Sequence, residues 1–266
     1  MYHALILYFM FSRKDSMNLS FVIITLNEAN NIERCIRSVP FAEEVIVVDS
    51  GSTDPTADIA ERCGAKVLYH EFLSFSSQKQ WAIEQASGRW ILSLDADEYL
   101  NDELADELES IVSSKSDKIG FRIPFRIMYM GKLMRFGPWS GEHHVRIFRN
   151  GYARFPDSGV HEGLEITGGS VGTLKKGYVV HNSFSSITDQ MNKMVLYSRI
   201  WAEREFGNGR SSGFLQISLR PVWRFISAYL FRGGILEGIP GLASSLVSAF
   251  YVFMKWTMLY EMRHDR

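Results

Sequence analysis

Three apolar runs, each stopping abruptly at small polar or acidic residues, constrain this 266-residue chain more than any other feature. Leu19 to Ile24 leads into Thr25-Leu26-Asn27-Glu28. Val45 to Val48 leads into Asp49-Ser50-Gly51-Ser52-Thr53-Asp54, and Trp90 to Leu94 into Asp95-Ala96-Asp97-Glu98. Short β-branched runs bounded by turn residues read as buried strands. Helix-like segments separate them. Asn30 can cap a first helix, with Glu33 three residues on and Ile32, Ile36 and Val39 as its apolar stripe. Asp54-Pro55 reads as N-cap and first turn of a second helix that stops near Gly64. Ala65 to Tyr69 reads as a short strand. Ser76 begins a helix carrying Lys79, Trp81 and Ile83 and closing near Gly88. Asn101 caps a segment with Leu104, Leu108 and Ile111 at helical spacing. Strand and helix thus alternate to about residue 112, the pattern of a parallel α/β sheet. Ligands of such sheets bind beyond the carboxyl ends of the strands, so three polar tips describe one pocket.

The third tip carries the sharpest chemistry. Ala96 turns away between Asp95 and Asp97, so both carboxylates can face one side. Hard oxygen ligands suit Mg²⁺ or Mn²⁺ bridging a diphosphate; a solvated acidic turn is the plainer alternative. A Ca²⁺ loop fits poorly, because Tyr99 and Leu100 stand where it needs an oxygen ligand and a glycine.

Taken in order, the three tips resemble those of the family 2 glycosyltransferases, closely over residues 18–112 and more loosely to about residue 185. Within that family the chain looks most like bacterial lipopolysaccharide core β-glucosyltransferases. The resemblance implies a GT-A fold, a Rossmann-like mixed sheet with flanking helices, and gives each position a role. Thr25, Leu26, Asn27 and Glu28 would line the nucleoside pocket, and Asp49 would bind uracil or ribose. Ser50, Ser52 and Asp54 lie beside it, Asp54 serving equally well as the helix cap alone. Lys79 would approach the nucleotide or be a solvated helix lysine. Asp95, with Ala96, would contact ribose or metal, and Asp97 would hold the metal.

Past residue 112, Ile119 to Met128 and His144 to Arg149 alternate, which predicts an antiparallel extension. Asp157-Ser158-Gly159-Val160-His161-Glu162-Gly163 looks like the Val-His-Glu element of related transferases. Glu162 is the expected base, then His161, with Asp157 the next acid; the alternative is a polar turn. His181, after Tyr178-Val179-Val180, resembles a late histidine metal ligand, or is a hydrogen-bonded structural residue. Gly137 to His144 reads as an acceptor loop, with Trp139 as a sugar-stacking face or a core residue and Glu142 beside it. His143 and His144 are adjacent and point to opposite faces of a strand, which excludes zinc there.

A net charge of −1 gives no basic character for nucleic acid. Cys35 and Cys63 fall on predicted helices as buried thiols and make no disulfide framework, which suits a reducing cytoplasm. Tyr2 to Phe11 is apolar but too short to span a bilayer, and Arg13 and Lys14 follow it, the reverse of a secretory signal. Met17 is an alternative translation start. At the other end, arginines from Arg199 to Arg232 alternate with aromatics, and Gly238 to Met254 is weakly polar. This suits a helix pair lying in an anionic membrane interface; a plain helical subdomain, an oligomer contact and a tilted span are the alternatives.

The expected layout is an extension at 1–17, a catalytic domain at 18–185 (nucleotide half 18–112, acceptor half 113–185) and a helical membrane-associating region at 186–266. The expected activity is inverting transfer of a hexose, glucose for preference, from a UDP-sugar to a lipid-linked glycan such as lipopolysaccharide inner-core heptose. It would take place at the cytoplasmic face of the bacterial inner membrane. Polyprenyl-phosphate and exopolysaccharide acceptors are alternatives. A sugar-phosphate nucleotidyltransferase would carry a glycine-rich basic loop where Thr25-Leu26-Asn27-Glu28 stands.

Overall fold

All seven residues of Leu19–Thr25 are buried, as a strand covered on both faces requires. In the computed structural model, which describes residues 18–156, 163–184 and 186–264, this strand is β1. The expected alternation follows: α1 (Ile32–Arg37), β2 (Glu44–Asp49), α2 (Thr56–Arg62), β3 (Lys66–Tyr69), α3 (Phe75–Glu84) and β4 (Trp90–Asp95). Next come β5 (Glu98–Leu100), α4 (Asp102–Ser113), β6 (Gly120–Tyr129), β7 (Lys132–Leu133), β8 (His143–Arg149), β9 (Ala153–Arg154), β10 (Glu165–Ile166), β11 (Val171–Thr173) and β12 (Val179–His181). Three long helices complete the order: α5 (Ile187–Gly207), α6 (Phe214–Ile226) and α7 (Ile239–His264). Two compact units result. One holds residues up to Phe125 together with His143–His181; the other holds Arg126–Glu142 and the residues from Asn182 on.

The first unit is built on a mixed sheet. β1 is central, parallel to β2 and β4, and β3 extends the parallel set beyond β2. β8 joins β4 antiparallel and β6 joins β8, the antiparallel extension expected from their alternation. One apolar layer, including Phe21, Ile23, Leu92, Leu94, Leu104 and Leu108, covers one face; a second, including Val22, Ile46, Val48, Ala82 and Phe148, covers the other.

Local signals fall at shifted positions, and some differ in kind from the expectation. Asn31, not Asn30, precedes α1, and its Nδ2 donates to Glu28 Oε2 at 2.7 Å instead of capping the helix. Ser74, not Ser76, caps α3, accepting from Ser77 N at 3.1 Å. α3 ends at Glu84, and Gly88 serves another purpose: its N–H donates to Ser20 Oγ at 2.7 Å, where a Cβ would collide with the Ser20 backbone. Asn101 caps α4 as expected, accepting from Leu104 N at 3.3 Å, while Val112 rather than Ile111 completes the buried stripe. Cys35 is buried, but Cys63, just past α2, is only half-buried.

The second unit has two cores. Ile127, Tyr129 and Met134 pack with Trp139, Phe184 and Ala243, while Ala202, Trp256 and Leu259 pack where α5, α6 and α7 meet. Buried Glu237 ties this unit together. Its Oε1 accepts from Arg135 N at 2.7 Å and Phe136 N at 2.9 Å, and its Oε2 pairs with Lys132 Nζ at 2.6 Å. α7 has a mean hydropathy of 1.3 over its apolar window and is long and apolar enough to cross a membrane by length and composition.

Candidate active site

Strand register brings the three polar tips side by side. Thr25 stands opposite Asp49, and Ile24 opposite Asp95, so adjacent parallel strands end at one level. The first two tips are stitched together by hydrogen bonds. Asn27 takes a left-handed φ of 57°, an unusual conformation that a short amide side chain tolerates. Its N–H donates to Ser52 Oγ at 2.9 Å, and its Oδ1 accepts from Thr53 N at 2.8 Å. Glu28 N donates to Thr56 Oγ1 at 2.8 Å. Leu26 is exposed beside them.

Asp54 is committed to this scaffold. It accepts from Ala29 N and Thr56 N, each at 3.1 Å, and from the Thr56 hydroxyl. Slight burial opposes its ionisation, but these bonds win and hold its carboxyl below the usual range. Asp54 thus serves the start of α2, from one residue before Pro55, which holds the N-cap position where Asp54 was expected.

Asp49 is buried, and its Oδ1 accepts from Gly51 N and Ser52 N, both at 2.6 Å. Among the described residues its buried Oδ2 has no hydrogen-bond partner, and neither has the neighbouring Thr25 Oγ1. Orphaned acceptors of this kind are rare and demand an explanation. A ligand donating to Asp49 Oδ2 supplies one. Ser50 Oγ, next to it, accepts from Gln78 Nε2 at 3.0 Å, and Gln78 also meets His70 Nδ1 at 2.7 Å.

Asp95 lies in a charge network. Buried Lys79 holds it, with Nζ 2.8 Å from Oδ1 and 3.0 Å from Oδ2, so the lysine is not solvated. Arg146 pairs with buried Glu98 at 2.9 Å and approaches Asp95 Oδ2 at 3.9 Å. Glu98 Oε2 accepts from Asp95 N at 3.0 Å. Burial opposes ionisation of Asp95, but Lys79 and Arg146 bring its carboxyl down to about 2. Burial instead pushes Glu98 above its ordinary value, against the pull of Arg146 and with the help of Asp95. Ala96 is buried in the core beneath, so the two aspartates flank a turned-away side chain as expected.

Asp97 Oδ2 lies 3.2 Å from His181 Nε2, because β12 runs antiparallel to β5 with His181 opposite Glu98. Burial would lower the His181 pKa; the bond to Asp97 and its charge raise it. One carboxylate and one imidazole make too small a set to enclose a cation, and among the described residues no cluster of three such side chains does so. The pair does fit a divalent ion whose remaining positions come from a diphosphate.

Glu162 and His161, with Asp157, lie outside the described residues. Trp139 falls in the second unit, half-buried against Tyr129 and Phe184 with ring centroids at 5.3 and 5.9 Å; this is its core reading. Glu142 is in the same unit, half-buried, where its charge acts on Arg224. Arg146, Glu98 and Gln78 received no role from sequence. Only the inward alternation of β8 hinted at Arg146, and no spacing rule pairs it with Glu98.

The mixed sheet gathers these polar and acidic side chains at the ends of its parallel strands. The family model for glycosyl transferase family 2 matches residues 20–127. A Rickettsia bellii protein described as an uncharacterized glycosyltransferase is 34% identical over 257 residues, covering 92% of this chain and 86% of its own. The lipopolysaccharide core biosynthesis glycosyltransferase LpsC of Rhizobium meliloti is 30% identical over 253 residues, covering 92% of this chain and 93% of its own. The crystal structure of S. aureus TarS with UDP-GlcNAc overlaps 93% of this chain and 92% of that one at 18% identity and a TM-score of 0.48. The chain belongs to the family 2 glycosyltransferases, and it is an enzyme of that class.

Proposed function

We propose that the protein transfers a hexose, glucose for preference, from a UDP-sugar to a lipid-linked glycan, with inner-core heptose of lipopolysaccharide as acceptor. The reading rests above all on the register that aligns Thr25, Asp49 and Asp95, together with the orphaned Asp49 Oδ2 beside Thr25. That oxygen would accept from uracil or ribose, with Asn27 and Glu28 fixing the wall of the nucleoside pocket. The acceptor class is drawn from LpsC, whose description places it in lipopolysaccharide core biosynthesis.

Asp97 and His181 would hold Mg²⁺ or Mn²⁺ on the diphosphate; the ion would supply charge stabilisation to the departing nucleotide. Lys79 keeps Asp95 ionised and fixed toward the ribose or the metal. Glu162, with His161 as the lesser candidate, would take the proton from the acceptor hydroxyl, which attacks in line with the leaving group and so inverts the anomeric centre.

The second unit supports work at a membrane, here the cytoplasmic face of the inner membrane. Leu215, Leu219 and Val222 recur at helical spacing on α6 and are all exposed, as are Ile239, Leu242 and Leu246 on α7. Exposed apolar stripes of this extent mark an interaction surface. Purified protein incubated with a panel of UDP-sugars and Mn²⁺ or Mg²⁺ should release UDP; pyrophosphate release instead would make it a nucleotidyltransferase. A deletion strain should display a surface glycolipid core shorter by one hexose. An unchanged core with an altered capsule or exopolysaccharide would move the acceptor to those classes.

A further inference from the structure

Helices α5, α6 and α7 enclose a cleft of about 380 Å³ that no part of the transfer reaction uses. Arg220, Arg224 and Lys255 line it, alternating with Trp201, Trp223 and Trp256. Its size falls within the range of small-ligand sites, roughly 300–1,000 Å³. The cations are held on indole faces: Arg220 lies 4.6 Å from the Trp256 ring centroid, and Lys255 lies 4.5 Å from that of Trp201. Arg224 is oriented by Ser248 Oγ, which accepts from its Nε at 2.6 Å.

Among the described residues, none of these three makes an ion pair with a carboxylate; Arg210, a fourth cation on the wall, is satisfied by Glu205 at 2.6 Å. Burial, and then the charge of Arg204, push the Lys255 ammonium below its ordinary value. Burial and the charge of Arg232 do the same to Arg224. The charge of Glu142 acts on Arg224 and that of Glu205 on Lys255, each opposing these shifts only in part, so the crowded, partly desolvated cations are stabilised further by an incoming anion. Guanidinium groups, with a nearby Ser227 hydroxyl in the lining, match the several oxygens of a phosphate better than the single acceptor of a halide.

We propose that this cleft binds a phosphate group, carried by a lipid headgroup or free in solution. The lipid source rests on the membrane reading above; the phosphate site stands without it. Three tryptophans in the walls make intrinsic fluorescence the readout, titrated with inorganic pyrophosphate. In parallel, the full chain is sedimented with vesicles of phosphatidylcholine alone or mixed with phosphatidic acid.

The native protein is expected to saturate with at least one of the two probes. R220Q and K255Q should each weaken that binding about tenfold, the loss of one charge-assisted contact. R220K should retain it in part, and R199Q, which removes an equal charge from the exposed surface outside the cleft, should leave it unchanged. Response to pyrophosphate and to phosphatidic acid alike would make any phosphate a ligand, and a preference for phosphatidic acid vesicles over phosphatidylcholine alone, with no response to pyrophosphate, would assign the headgroup. Equal weakening by R199Q would reduce the effect to diffuse charge and overturn the site, as would the absence of response to either probe. F214S with L219S separates the two readings: loss of binding to phosphatidylcholine vesicles with the pyrophosphate titration intact would test the apolar face alone.

Discussion

Asp95 and Asp97 are one residue apart and meet opposite electrostatic surroundings. Lys79 and Arg146 neutralise Asp95, whereas Asp97 meets the His181 imidazole at 3.2 Å and Arg146 only through its more distant charge. Asp97 is therefore the carboxylate with charge to spare for a cation. Asp97→Asn should lower kcat about 10²–10³-fold, the scale of losing one preorganised electrostatic contact at a leaving group, when UDP release is followed. Asp49→Asn should weaken UDP binding about tenfold by calorimetric titration, since an amide on Oδ2 cannot accept from the ligand. Lys79→Met leaves a buried carboxylate beside Glu98 and should cost about 3 kcal/mol in urea unfolding, beyond any effect on turnover. The acids themselves were legible because their spacing is local. Their partners were not: Lys79 reaches Asp95 across 16 positions and Arg146 reaches Glu98 across 48, so only the folded sheet reveals that these charges cancel.

At the scale of elements, β1 to β4, β6 and β8 followed from apolar runs and alternation, the short strands β5, β7 and β9 to β11 were not legible, and helix starts slipped by one or two residues. Asn30 and Asn31 are equally good caps on paper, as are Ser74 and Ser76; the loop before α3 delivers Ser74 in extended backbone, where its side chain caps, whereas Asn31 stands in helical backbone and its side chain does not cap. The start of α7 and the turn before it offer two tests. Gly241 packs so closely on Gly234 O that a Cβ would overlap it, so Gly241→Ala should lower the melting temperature by displacing α7. Burial would raise the pKa of Glu237, but Lys132 and the Arg135 and Phe136 amides lower it from its ordinary 4.5. A depressed carboxylate adds stability above its unfolded pKa and loses it as pH falls through the folded value. Thermal melts of the native protein should therefore decline below about pH 4.5, and Glu237→Gln should melt lower at pH 7 with a flatter acid limb.

At the scale of the whole molecule, the chain divides inside β6, between Phe125 and Arg126, where alternation continues without a break. Periodicity cannot reveal such a boundary, because the strand itself is regular. The C-terminal helices were legible as arginine-punctuated aromatics. Their exposed stripe became visible only once packing had settled which side chains were left over. Leu219→Glu with Val222→Glu should abolish sedimentation with phosphatidylcholine vesicles while UDP release to water, without acceptor, continues at its native rate. Retained sedimentation would place the lipid contact elsewhere.

β1 has its seven residues buried and a neighbour bonded along each edge. Its amide protons should consequently be among the slowest to exchange for deuterium, released only when the unit opens globally. Because Thr25 hangs from its end, beside the ends of β2 and β4, the proposed donor pocket is anchored to a strand buried throughout its length. Substrate-driven rearrangement then falls to the loops that follow those strands, where exchange on adding UDP should slow most.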